Sequence, residues 1–166
     1  MSGKTITGRV APGAVRRSCS PEDWRTARRL VEEYAAELGF DLCFQDFDVE
    51  IENLPSHYGP PSGAFFVAEE DGRVLGCVGL RRVSDGIGEM KRLYVIAGAR
   101  RRGIGRALAE AVITEAAGMK YEKLVLDTLA SMNEANALYR SLGFTEIASY
   151  RYNPLPGAKF FELRLN

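Results

Sequence analysis

Residues 89–107 read EMKRLYVIAGARRRGIGRA, a strand pattern that passes into a helix start, and both parts are irregular. In the strand part the apolar residues Met90, Leu93 and Val95 are spaced three and then two, where a regular strand gives two and two. The extra residue predicts a β-bulge, which splays a strand from its neighbour and frees backbone amides for a ligand. At the helix start, the usual capping residues Ser, Thr, Asp and Asn are missing between Ile96 and Gly105. Arginines stand instead at 100, 101, 102 and 106, around Gly103 and Gly105. Uncapped N–H groups, glycine-opened backbone and clustered guanidinium groups make an anion site, and a pyrophosphate would satisfy it.

Upstream of this stretch, residues 14–18 read as a short strand. Ser20-Pro21-Glu22-Asp23 then opens a helix, with Ser20 as cap, Pro21 in the first turn and Asp23 approximating a capping box. Trp24, Ala27, Val31, Tyr34, Ala35 and Leu38 follow at helical spacing up to the stop at Gly39. A second helix is expected over residues 44–54 and a Pro/Gly-rich loop over 53–63. Residues 65–69 and 73–83 flank Asp71-Gly72, a hairpin signal, and Ser84-Asp85-Gly86 turns into the strand of 89–96.

Downstream, Ile104, Ala107, Leu108, Ala111 and Val112 form an amphipathic helix that stops near Gly118. Residues 123–128 (KLVLDT) read as a strand of the buried kind. Ser131-Met132-Asn133-Glu134 is expected to act as a second capping box, opening a helix with Ala135, Leu138, Tyr139 and Leu142 on one face. Residues 144–150 and 160–165 complete the order β α α β β β α β α β β. This is an α/β (α+β mixed) fold with a mixed, mostly antiparallel twisted sheet and helices on both faces. Residues 1–13 are expected to form a loose tail, with residues 14–166 a single domain.

Composition excludes several function classes. The 166 residues carry 22 Lys plus Arg against 22 Asp plus Glu, so no overall field points to nucleic acid or an anionic membrane. The three cysteines, Cys19, Cys43 and Cys77, lack metal-ligand spacing and read as small buried hydrophobes. No apolar run approaches the ~18 residues of a membrane span, and MSGKTITGRVAPG lacks the apolar core of a signal peptide. A cytoplasmic protein with neither membrane nor nucleic-acid partner and no bound metal is expected. The glycine pair is not a dinucleotide fingerprint, because the third glycine is missing from its place. It is not a P-loop either, because no Gly-Lys-Ser/Thr closes it.

Arg100-Arg101-Arg102-Gly103-Ile104-Gly105, after a strand ending Leu-Tyr-Val, resembles the (Gln/Arg)-x-x-Gly-x-(Gly/Ala) signature of the GNAT superfamily of acetyl-CoA-dependent N-acetyltransferases. Ala135, Leu138, Tyr139, Leu142, Gly143 and Phe144 resemble its second signature, about thirty residues later with a buried strand between. The element order from Ala14 to Leu165 is similar as well.

The resemblance implies acetyl-CoA as co-substrate, with its pyrophosphate held by Arg100, Arg101, Arg102, Gly103, Ile104, Gly105 and Arg106. Free amides around Leu93, Tyr94 and Val95 would pair with the pantetheine arm and polarise the thioester carbonyl, where attack builds negative charge. Tyr139 matches the tyrosine that protonates the leaving thiolate, and Glu89 matches a general-base glutamate of some protein-acetylating relatives. The family's cofactor-binding asparagine is replaced here by Met132, leaving Asn133 or Asn136 as the substitute.

For the acceptor, His57 and Tyr58 in the Pro/Gly-rich loop and Arg151, Tyr152 and Asn153 further on are candidates; an arginine there would suit a carboxylate-bearing amine. A closed pocket walled by residues 53–63 would point to a small-molecule amine, and a flat groove to a protein lysine or N-terminus. A non-catalytic acyl-CoA-binding module is the remaining alternative, and a homodimer is compatible with the family.

Overall fold

The computed structural model describes residues 14–42 and 46–165; the expected tail and Cys43 lie outside them. One seven-stranded sheet runs in the order β1-β2-β3-β4-β5-β7-β6. Its strands are β1 (Val15–Arg17), β2 (Ala64–Glu70), β3 (Arg73–Ser84), β4 (Ile87–Val95), β5 (Lys123–Leu129), β6 (Thr145–Ile147) and β7 (Ala158–Arg164). Every neighbouring pair is antiparallel except β4–β5. That parallel pair is bridged by helix α4 (Ile104–Gly118), as a parallel crossover requires.

Helices cover both faces. α1 (Pro21–Leu38), α2 (Phe47–Glu52) and α3 (Leu54–Tyr58) lie on one side, where Ala27, Leu30, Val31, Ile51, Leu54, Tyr58, Phe65 and Cys77 bury together. α4 and α5 (Asn133–Ser141) lie on the other, over Met90, Ile104, Leu108, Leu124, Leu126 and Phe161. α1 begins as its sequence predicts. The Ser20 hydroxyl accepts from the Asp23 amide, the Asp23 carboxylate accepts from the Ser20 amide, and Gly39 ends the helix at φ 73°.

Several expectations need correction. Within the described residues the second helix begins at Phe47. The predicted loop of 53–63 contains α3, because Asn53 caps it and Pro55 suits a first turn. The Ser131–Glu134 capping box does not form: Met132 is the cap residue and makes no side-chain capping bond. The strand expected over 144–150 is only β6, because the chain leaves the sheet after Ile147. Cys77 is buried as expected, but Cys19 is exposed.

Candidate active site

The cleft follows from how β4 is paired. On one side β4 bonds to β5 over only three residue pairs, ending with Glu89 opposite Val125, and beyond them the sheet forks. On the other side Cys77 stands opposite Tyr94 but Gly79 opposite Lys91, so Arg92 and Leu93 together face Val78. This is the bulge that the spacing of Met90, Leu93 and Val95 predicts. Arg92 takes up the extra length at φ 60°, a left-handed conformation that is costly for a residue with a Cβ. A doubled hydrogen bond from its Nε and one terminal nitrogen to the Glu50 carboxylate, each 2.9 Å, holds it there.

The fork opens into a cleft of about 480 Å3 lined by Glu37, Leu93–Val95, Arg100 and Ser131–Ala135. It continues along Gly103–Arg106 and Leu138. Two helices point their N-termini into it, and neither is capped by a side chain. α4 starts from Gly103 at φ 81° and α5 from Met132. A Cβ on Gly105 would meet nothing closer than Leu138 at 3.6 Å, so the backbone there is open to a ligand. The orphan amides of two helix starts and the arginines beside them fit the phosphates of an acyl carrier.

Of the four arginines, Arg100 reaches the Val95 carbonyl and Glu37, Arg101 pairs with Glu134, and Arg106 bonds Ser141. These three line the cleft. Arg102 instead forms a doubled bond with Glu70 on β2, at 2.8 and 2.7 Å, and lies off the groove. Asn133 lines the cleft. Asn136 pins α5 to β5, accepting from the Thr128 hydroxyl and donating to the Leu129 carbonyl. The Tyr94 hydroxyl bonds Glu37 at the cleft wall.

Beyond the bulge lies a second, small cavity. Tyr34, Leu38 and Leu42 wall it on the α1 side, Lys91 and Arg92 on β4, Asp127 on β5, and Asn153 and Leu155 on the β6–β7 connection. Tyr139 borders it from α5. Its ring packs against Phe144 and Phe161, and burial pushes its phenol pKa above the ordinary value. None of residues 53–63 reaches this cavity. Tyr58 lies beneath the sheet with its hydroxyl on Glu50, its ring against the glycine face of Gly79. His57 stacks loosely on it and is not in the cleft.

Glu89, the expected base, is fully buried at the fork, two residues before Lys91 on β4. Its carboxylate accepts from Arg81 at 2.8 Å and from the Tyr150 hydroxyl, and pairs with Arg151 at 3.3 Å. Burial, with Glu89 alongside, raises the Tyr150 pKa. On the cavity wall Lys91 pairs with Asp127 at 3.3 Å, and Asn153 donates to the other Asp127 oxygen. Burial lowers the Lys91 pKa to about 8.

Sequence reasoning missed Lys91, Arg92, Asp127 and Tyr150. The available signal was charge inside strands: Lys91 and Arg92 interrupt a central strand, and Asp127 sits in the apolar run KLVLDT.

The sequence matches the Acetyltransferase (GNAT) family over residues 24–144. The chain belongs to the GNAT acetyltransferase family. It is 38% identical over 148 residues to an uncharacterized N-acetyltransferase of Schizosaccharomyces pombe, covering 88% of this chain and 91% of that one. It is 34% identical over 112 residues to the N-acetylaspartate synthetase of Xenopus tropicalis, spanning 63% of this chain and 41% of the relative. Its fold is similar to that of a GNAT-family acetyltransferase from Staphylococcus aureus Mu50, with a TM-score of 0.76 at 20% identity, over 92% of this chain and all of the other. This GNAT protein is therefore an N-acetyltransferase, an acyltransferase enzyme of a family that uses acetyl-CoA. Among the described residues no helix is long and apolar enough to cross a membrane. Nor does any group of three His, Cys, Asp or Glu among them suit a metal ion.

Proposed function

We propose that the protein transfers the acetyl group of acetyl-CoA to the primary amine of a small molecule by direct attack. The observation that carries this reading is the forked sheet: a long cleft leads past the bulge to a small cavity with charged walls. A relative named for synthesis of N-acetylaspartate supports a small acceptor.

Acetyl-CoA brings a thioester activated for attack. The α4 amides at Ile104, Gly105 and Arg106, with Arg100 and Arg101, hold its pyrophosphate, and Asn133 lines the same passage. The backbone of Leu93, Tyr94 and Val95, which β5 leaves unpaired, receives the extended pantetheine arm as an added strand would be received. Amides at the bulge polarise the carbonyl oxygen as charge grows on it. The amine nitrogen bonds to the acetyl carbon, the carbon–sulfur bond breaks, and the sulfur takes the Tyr139 hydroxyl proton. The proton shed by the amine passes to Glu89 through the Tyr150 hydroxyl, because the carboxylate itself has no open face.

The test is thiol release from acetyl-CoA with amino acids, polyamines, aminoglycosides and peptides as acceptors. Turnover with a small amine supports the reading, and turnover confined to peptides overturns it.

A further inference from the structure

The cavity beyond the bulge has a volume of about 40 Å3. At about 10–15 Å3 per water-sized occupant, it admits a group of roughly three heavy atoms. Its walls are charged: Lys91, Arg92 and Asp127 line it, with side chains 3%, 2% and 5% exposed. Directly behind them lie Glu50, Arg81 and Glu89, joined by Arg151.

Each of these groups has a partner, but their sum is uneven. Among the described residues, the ion pairs of this cluster join four cations (Arg81, Lys91, Arg92 and Arg151) to three carboxylates (Glu50, Glu89 and Asp127). Asp41, beside the cavity-lining Leu42, is exposed. Residues 1–13, 43–45 and 166 include no Asp or Glu side chain. Behind the wall, the buried Nε of Arg151 has no hydrogen-bond partner among the described residues. An excess positive charge in a low-dielectric site is costly until an anion joins it.

We infer that the acceptor amine carries a carboxylate, which seats in this cavity against Lys91 and Arg92 while its amine faces the bulge. Size and sign both select this group. A carboxylate has three heavy atoms, and a guanidinium edge and an ammonium are its usual partners. Asp127, on the same wall, accepts the acceptor's ammonium on entry, so the lining complements an amino acid at both ends. A polyamine or aminoglycoside would instead add positive charge to a site already in excess.

This rests on the small-amine reading, and matched acceptors keep the two apart. With the intact protein and acetyl-CoA, kcat/KM is measured for glycine against glycinamide, β-alanine against its amide, and aspartate and glutamate against their α-amides. At least one acid should exceed its amide by about 10–100-fold, the worth of a charge-assisted hydrogen bond. Amides of α-amino acids are the less basic amines and start with more of the neutral nucleophile, so reactivity alone predicts the opposite order. Lys91→Met should collapse the ratio, with coenzyme A binding by calorimetry showing that the variant is folded. If that variant does not fold, the ratio on the unaltered protein decides alone. Amides equal to or better than acids throughout overturn the carboxylate while leaving small-amine acetylation standing. Activity on peptides alone overturns both.

Discussion

Tyr139 carries its phenol on a ring that two other aromatics hold in place, so its packing and its chemistry can be separated. Tyr139→Phe should lower turnover by ~10²-fold, the loss of one proton donor. Melting temperature and coenzyme A affinity should stay close to those of the unaltered protein, because the ring remains and the phenol acts only once charge builds on sulfur. Steady-state rates beside melting curves check this, and a variant with unaltered turnover would make Tyr139 a core residue only. Glu89 is different, because the proposed proton path and the buried ion pairs share one carboxylate. Glu89→Gln weakens the partner of two guanidinium groups in a buried site, so it should cost stability, on the order of a few kcal/mol. Its rate should also fall ~10²-fold, with partial recovery at high pH, where more of the amine is already neutral. Tyr150→Phe should reproduce the pH-dependent part without the larger stability loss. An unshifted pH–rate profile in both variants would remove Glu89 and Tyr150 from the proton path.

Two helix starts show the same backbone requirement met in opposite ways. α1 is closed by its own side chains. Asp23 accepts from the Cys19 and Ser20 amides and from Arg16, and these bonds hold its carboxyl well below the usual carboxylate range. A depressed folded-state pKa stabilises above the ordinary carboxyl value near ~4, and the benefit is lost as pH falls below it. Asp23→Ala should therefore cost about 1–2 kcal/mol at neutral pH. Denaturation at low pH should narrow the difference between the two proteins. α4 has no side-chain cap, and in the proposed function its free amides are met by the cofactor's phosphates. Gly105→Val should fold, since the added Cβ finds only ordinary contacts, yet its branched side chain would occupy the approach to the amides. Calorimetry should show acetyl-CoA binding lost in the folded variant; unchanged affinity would place the phosphates elsewhere.

At the scale of the whole molecule, what was legible in the sequence was what local spacing encodes. The Ser20–Asp23 box, the Asp71-Gly72 turn, the bulge before Leu93 and the uncapped start at Gly103 each lie within a few residues, and each appears in the structure. The small charged cavity was not legible, because Lys91, Asp127 and Asn153 come from three separate segments and meet only after the sheet forms. Taken singly, a lysine in a strand reads as a solvated residue. α3 escaped notice because three prolines masked a helix that needs only five residues. The buried cluster should also leave a mark on global stability. Burial holds the Lys91 pKa at about 8 against 10.5 in the open chain, so between those values the unfolded state binds more protons and this group's contribution rises with pH. The rise amounts to about 3 kcal/mol at most, until the buried tyrosines, whose raised pKa values favour unfolding above pH ~10, oppose it. Denaturant titrations from pH 7.5 to 9.5 should show this upward contribution in the unaltered protein and its absence in Lys91→Met. The three-pair junction of β4 and β5 has a mechanical consequence. It makes the sheet two ribbons, β1–β4 and β5–β7, that share a short seam and can breathe against each other. A ligand laid along the open edge of β4 closes that seam like a splint. Amide hydrogens of residues 90–95 should then exchange with solvent far more slowly in saturating coenzyme A, while those of Phe66, Val67 and Ala68 in β2, flanked by strands on both sides, should slow only by the global gain in stability.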